Sequence, residues 1–240
     1  MKILVVNDDS IHAPGIKLLA KAAMEFGEVY VVAPSEQCSA LSQKLTLREQ
    51  MRLEKTEEFP VPVQAAWMLG GTPVDCVKVA LEHILEEKPD YVFSGINNGY
   101  NAGFDIAYSG TLGAAFEAVR NGVPAAAFSV ASDRHLDDVE PYLEAVIREL
   151  LEGKLESGEV WNVNFPAMKT VGIKGILRDR RVAPTSMFRE TYLETPQEDG
   201  SVLLTCKGIH TPDDRIPEGT DAKAVRQGYI SIGKVRGAML

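Results

Sequence analysis

Apolar and polar residues along this chain follow two rhythms. Ile3–Val6 is an aliphatic run, the mark of a strand buried on both faces. Gly15–Phe26 then sets Ile16, Leu19, Ala20 and Ala23 at helical spacing, with Gly27 as the expected C-cap, and Val29–Ala33 is a second apolar run. Strand, helix and strand in that order predict a βαβ unit and a parallel pair. Pro73–Glu87 predicts a helix with proline in its first turn and Val74, Val77, Ala80, Leu81 and Ile84 on one stripe. Tyr91–Phe93, Ala125–Val130 and Val160–Phe165 read as further strands, the last of them closing the core. Leu112–Val119 and Val139–Leu151 read as helices.

Elsewhere the rhythm is alternation. Residues 43–66, with Leu45, Leu47, Met51 and Leu53 among charged neighbours, predict half-exposed antiparallel strands. From about Lys169 alternation returns among turn residues. A projecting β arm is expected within about 169–210, centred on Val182–Cys206, and Asp221–Gln227 and Tyr229–Ile232 close the chain. With no repeat, low-complexity tract or flexible linker, 1–240 reads as one α/β domain carrying an arm.

Composition narrows the function classes. Apolar residues form 45% of 240, yet no stretch reaches the roughly 20 needed to span a membrane. The first strand begins at the N-terminus, so no signal peptide is expected. Cys38, Cys76 and Cys206 are odd in number and widely spaced, which suits a reduced, cytoplasmic setting. A net charge of −9 argues against a nucleic-acid polymer as partner but admits a small phosphorylated ligand. Arg178, Arg180 and Arg181 form the one tight basic cluster, either a solvated hairpin face or a substrate contact.

Three Asp-Asp pairs occur, and position separates them. Asp137-Asp138 precedes a helix, where negative charge favours the dipole. Asp213-Asp214 lies in a polar loop. Asp8-Asp9 closes a buried strand, where ligands of open α/β sheets sit. Two adjacent carboxylates there repel each other unless a cation or a shared proton holds them; the alternative is a pair of solvated capping residues. Ser39 and Asn97, at neighbouring strand ends, add neutral oxygens. Such a donor set suits Mg²⁺, Mn²⁺ or Ca²⁺ rather than zinc.

Ser94-Gly95-Ile96-Asn97-Asn98-Gly99-Tyr100-Asn101-Ala102-Gly103 is too rich in glycine for a regular element and lets backbone N–H groups approach an anion. It lacks the ending of a P-loop, and the first βα turn has no dinucleotide fingerprint. Ser109-Gly110-Thr111 heads a helix, either as a phosphate pocket or as an ordinary N-cap. His12, His83, His135 and His210 form no metal-spaced pair, and no GxSxG elbow is present.

Together these segments resemble the SurE family of metal-dependent nucleotidases. The resemblance runs through Asn7-Asp8-Asp9, His12-Ala13-Pro14-Gly15, Val32-Ala33-Pro34, Ser39 and Leu45-Thr46-Leu47. It continues through Gly71-Thr72-Pro73-Val74-Asp75-Cys76-Val77, Ser94-Gly95-Ile96-Asn97 and Tyr108-Ser109-Gly110-Thr111. Asn162-Val163-Asn164-Phe165-Pro166, Thr220-Asp221 and Gly228-Tyr229-Ile230-Ser231-Ile232 complete it. It implies a Rossmann-like parallel-sheet core in three α/β/α layers, with an extended β-hairpin arm used to build homodimers or homotetramers. It also implies one divalent cation, Mg²⁺ or Mn²⁺, on Asp8, Asp9, Ser39 and Asn97, and phosphate binding by Asn101, Ser109, Gly110 and Thr111. The implied reaction is hydrolysis of nucleoside 5′- and 3′-monophosphates, with short polyphosphate in some members. For such a reaction we expect Asp8 to orient or deprotonate water, or else to act as nucleophile, with Asp9 mainly a ligand.

This chain departs from the family's pattern at Ser10, where glycine is usual, in the loop Ser35-Glu36-Gln37-Cys38, which is usually more basic, and in a short tail after Ile232. A non-catalytic nucleotide- or metal-binding module and a transferase on a similar fold are the competing readings.

Overall fold

The computed structural model describes residues 1–132, 136–167 and 172–237. Strands β1 (Lys2–Val6) and β2 (Glu28–Pro34) flank helix α1 (Pro14–Ala23) and pair in parallel. Proline at the first turn of α1 fits where an N–H would be unsatisfied. The helix ends at Ala23 rather than at Gly27, because Met24–Phe26 turn the chain into β2.

Strand β3 (Leu53–Thr56) runs antiparallel to β4 (Ala65–Leu69), and β4 runs parallel to β2. The alternation at 43–52 forms no strand. Its backbone is claimed by helix α2 (Pro73–Val79) instead: the Thr46 N–H donates to Asp75 Oδ1 at 3.1 Å, and the Thr72 hydroxyl to the Lys44 carbonyl at 2.7 Å. Asp75 and Thr72 also close a reciprocal capping box. The predicted long helix is α2 followed by one π turn over Ala80–Ile84, on which His83 is exposed.

Strand β5 (Tyr91–Asn98) extends past its apolar run and shifts register against its neighbour between Ser94 and Asn97. A 3-10 turn (Phe104–Tyr108) leads to helix α3 (Gly110–Arg120), then strand β6 (Ala125–Val130), helix α4 (Leu136–Glu152) and strand β7 (Glu159–Phe165). The aspartates Asp137 and Asp138 lie in the first turn of α4, as its dipole favours.

Strand β7 does not close the sheet. Helix α5 (Asp221–Arg226) returns the chain to strand β11 (Ile230–Arg236), which pairs antiparallel with β7 and carries the two-residue strand β8 (Ile176–Leu177) on its far edge. The short alternation at Tyr229–Ile232 under-reported this strand. The sheet order is β3-β4-β2-β1-β5-β6-β7-β11-β8, with β4, β2, β1, β5, β6 and β7 parallel.

Helices α1 and α4 cover one face with Ile16, Leu19, Val139, Leu143 and Ile147 against Ile3, Val5, Phe93 and Phe128. Helices α2 and α3 cover the other, with Val77 and Leu112 against Leu4, Val6 and Val92. The three layers are α/β/α, as expected. The arm is a separate antiparallel hairpin, β9 (Phe188–Pro196) with β10 (Val202–His210). It begins later in the chain than the alternation suggests, and residues 169–171 of the expected span lie outside the described residues, as does His135.

From β1 the chain steps outward to β2 and β4, then returns to β5 on the other side of β1. The reversal leaves a crevice beyond the carboxyl ends of β1 and β5.

Candidate active site

Asp8 and Asp9 stand in that crevice. The Asn7 side chain donates to the Ser10 carbonyl at 2.7 Å, closing a tight turn in which Ser10 takes a left-handed φ of 84°. A glycine meets no steric penalty there. The Cys38 N–H donates to the Asp8 carbonyl at 2.7 Å and ties the loop after β2 to the end of β1.

Asp8 is buried, and its Oδ1 accepts a hydrogen bond from the Thr111 hydroxyl at 2.9 Å. Burial, followed by the charge of Asp9, pushes its carboxyl up to about 7, against the opposing pull of the Thr111 bond. Asp9 accepts from the Asn98 N–H at 2.8 Å and from Gln37 Nε2 at 3.3 Å. The same Gln37 nitrogen donates to Ser39 Oγ at 3.1 Å, so one amide joins exposed Ser39 to Asp9. Asn97 is half-buried on β5 and donates to the Gly99 carbonyl at 2.9 Å, which turns its nitrogen away and leaves its side-chain oxygen for another partner.

Helix α3 starts beside this pair. Ser109 is its N-cap, accepting from the Leu112 N–H at 3.0 Å; the hydroxyl keeps its own proton to donate. A Cβ added to Gly110 would sit 3.1 Å from both Cβ and Oδ2 of Asp8, tighter than an ordinary contact, so glycine here lets the helix start approach Asp8 without crowding it. Asn101 is buried behind Thr111: its Nδ2 donates to Ser129 Oγ at 2.8 Å and to Thr111 Oγ1 at 3.3 Å. Asn101 is held in turn by Asn164, whose side chain accepts from its N–H at 2.9 Å and donates to its carbonyl at 3.0 Å, and by Asn162, which donates to that carbonyl at 2.8 Å.

Register explains this convergence. Asn97 pairs with Ser129, Ser129 with Asn164, and Asn164 with Ser231, a polar row across β5, β6, β7 and β11 at one level of the sheet. Asn162 and Asn164, two apart on β7, share a face. Sequence reasoning assigned no role to Ser129, Asn162, Asn164 or Gln37. The available signal was two asparagines alternating within a buried strand, where unpaired amides are costly. Asp221 was also missed: its carboxylate accepts from the N–H groups of Gly103 at 3.1 Å and Ala183 at 2.9 Å and pins the end of the glycine-rich loop.

The basic cluster and Asp213 stand apart from the crevice. Arg178 pairs with Glu149, and Arg180 turns back to the Arg178 carbonyl, so that cluster is a solvated face. Asp213 meets Arg226 at 3.6 Å with its side chain largely in solvent. His12 is exposed on the loop after Asp9 and shares a cavity wall with it. The cysteines Cys38, Cys76 and Cys206 are all free thiols.

Among the described residues no three His, Cys, Asp or Glu side chains are grouped to hold a metal. The nominated donors are two carboxylates, a hydroxyl and an amide, a set outside that pattern. Their chemistry fits a hard divalent cation, and the Asp8-Asp9 repulsion is what such a charge would relieve. Among the described residues no helix is long and apolar enough to cross a membrane.

Known proteins resemble this chain along nearly its whole length. The family model for survival protein SurE matches residues 3–190. The 5′-nucleotidase SurE of Thermoanaerobacter sp. (strain X514) is 40% identical over 235 residues, spanning 97% of this chain and 90% of that protein. The 5′/3′-nucleotidase SurE of Shigella dysenteriae serotype 1 is 39% identical over 238 residues, spanning 98% and 90%. The crystal structure of the SurE protein from Aquifex aeolicus superposes with a TM-score of 0.81 at 31% identity, covering 98% of this chain and 93% of that one. A strand-end carboxylate pair facing a helix start, on a chain matched along nearly its whole length by these proteins, makes this chain a member of the SurE family.

Proposed function

We propose that this protein is a metal-dependent phosphomonoesterase that hydrolyses nucleoside 5′-monophosphates, and 3′-monophosphates, to nucleoside and phosphate. The observation that carries this reading is the meeting of Asp8 with the start of α3, through the 2.9 Å Thr111 bond and the close approach of Gly110. Relatives named 5′-nucleotidase and 5′/3′-nucleotidase support the substrate class.

Asp8, Asp9, Ser39 and Asn97 would hold one divalent cation, Mg²⁺ or Mn²⁺. When bound, it supplies Lewis acidity toward the phosphoryl group and lowers the pKa of a water. The Gly110 N–H at the head of α3 and the Ser109 hydroxyl bind the phosphate oxygens and stabilise the charge that grows on them. Thr111 occupies Oδ1 of Asp8, which leaves the other carboxylate oxygen to orient the attacking water and take its proton. Asn101 holds Thr111 in place from behind. Asp9 serves as ligand. We also propose that the protein is cytoplasmic and that the arm builds a homodimer or homotetramer; Tyr192, Leu193, Leu203 and Leu204 are each more than half exposed on it.

The test is phosphate release from a panel of nucleoside monophosphates and tripolyphosphate, with EDTA treatment and Mg²⁺ or Mn²⁺ add-back. Metal-restored release is expected from the monophosphates. Tight nucleotide binding without release would leave a binding module instead.

A further inference from the structure

The two aspartates face opposite sides of the sheet. Asp8 turns toward α3, as its Thr111 bond requires. Asp9 turns toward α1 and forms part of the wall of a cavity of about 280 Å³ that the reaction described above does not use. The apolar side of this cavity comes from Ile96 on β5, Val130 at the end of β6 and Leu136 at the head of α4. Its polar side comes from Ser10, His12, Gln37 and Asn98, next to Asp9. Ile96 and Val130 belong to the core on the α1–α4 face, whereas Leu112 of α3 belongs to the opposite one. The cavity and the phosphate-binding helix start therefore open on either side of one carboxylate pair.

We propose that this cavity is the subsite for the base of the nucleotide, with Ser10 as a residue of this chain that helps set base preference. The inference rests on the assignment of the α3 start as the phosphate site. A monophosphate lying across Asp8-Asp9 puts its phosphate on the α3 side and its nucleoside on the α1 side. A nucleobase is flat and apolar on its faces and polar at its edge. Ile96, Val130 and Leu136 can cover a face, while the Ser10 hydroxyl and the Gln37 amide reach an edge. Pockets of this build, mostly apolar with a few placed polar groups, are the usual form of small-molecule sites. Because Ser10 occupies a left-handed position, glycine can replace it without disturbing the turn.

The experiment compares Leu136→Trp, which fills the cavity from a half-buried position, and Ser10→Gly with the unmodified protein. Phosphate release is measured from the four common nucleoside 5′-monophosphates and from ribose 5-phosphate, which lacks only the base. Leu136→Trp should lower kcat/KM for the nucleotides by about tenfold or more, chiefly through KM, and leave ribose 5-phosphate within about twofold. Ser10→Gly should change the ranking of the four bases without changing ribose 5-phosphate. Equal losses on both substrate types, or none on the nucleotides, would overturn the assignment. Adenosine binding by isothermal titration reads the cavity without turnover: loss of binding in Leu136→Trp supports the subsite, and unchanged binding refutes it. A protein that binds adenosine in this cavity but releases no phosphate from any substrate would contradict the hydrolase reading and leave the subsite standing.

Discussion

Replacing Asp8 with asparagine should stabilise the metal-free protein while removing its hydrolytic activity. The carboxyl titrates at 3.8 in its ordinary setting and at about 7 in the folded chain, because burial and then Asp9 disfavour its charge. Between those values the folded state holds a proton that the unfolded state has released. Stability therefore falls as pH rises through this window, and the full penalty is present above it. The two values lie about three pH units apart, and at about 1.36 kcal/mol per unit the penalty is at most about 4 kcal/mol. An asparagine carbonyl can still accept the Thr111 hydroxyl, so the variant mimics the protonated acid. In EDTA, thermal unfolding followed by circular dichroism from pH 5 to pH 8 should show the variant's advantage widening by several degrees, at about 2–4 °C per kcal/mol for a chain of this size. Saturating Mg²⁺ or Mn²⁺ should narrow the gap by stabilising only the protein with the carboxylate. An advantage that does not change with pH, or a variant less stable throughout, would refute the reasoning.

Two further outcomes follow from the packing. Asn164→Ala should lower stability by about 2–4 kcal/mol in urea unfolding, since it unpairs the buried Asn101 N–H and removes one donor to its carbonyl, and should lower kcat as Asn101 loosens behind Thr111. Gly15→Ala should yield little folded protein on gel filtration and in proteolysis, because the added Cβ would lie 2.1 Å from the Ile96 carbonyl oxygen and force α1 away from β5.

The parallel core was legible because strands buried on both faces leave continuous apolar runs, and Ile3–Val6, Val29–Ala33 and Ala125–Val130 all lie inside observed strands. What alternation could not convey was who takes up the backbone. Leu45 and Leu47 look like strand residues, but Thr72 and Asp75 satisfy the groups near them. Strand β11 was only partly visible, since Gly233 and Lys234 interrupt its pattern. At the site, residue type and strand position nominated Asp8, Asp9, Ser39 and Asn97; Gln37 joins Ser39 to Asp9, and the N–H of Asn98, the residue after Asn97, donates to Asp9. The sequence did not reveal that Asp8 and Asp9 look to opposite faces. Nor did it reveal that Asn162 and Asn164 support Asn101 from 61 and 63 residues away, since that depends on register between strands.

The placement of β11 has a consequence for synthesis. A strand from the far end of the sequence lies inside the sheet, between β7 and β8, and between Phe165 and Ile230 the chain passes through the whole arm. A nascent chain that has made every parallel strand still carries β7 as an open edge, with unpaired backbone groups that invite pairing with another chain. The long loop between β7 and β11 delays its closure. During translation the most aggregation-prone moment should therefore come just before β11 emerges, when Asp8, Asp9 and the α3 start are already in place.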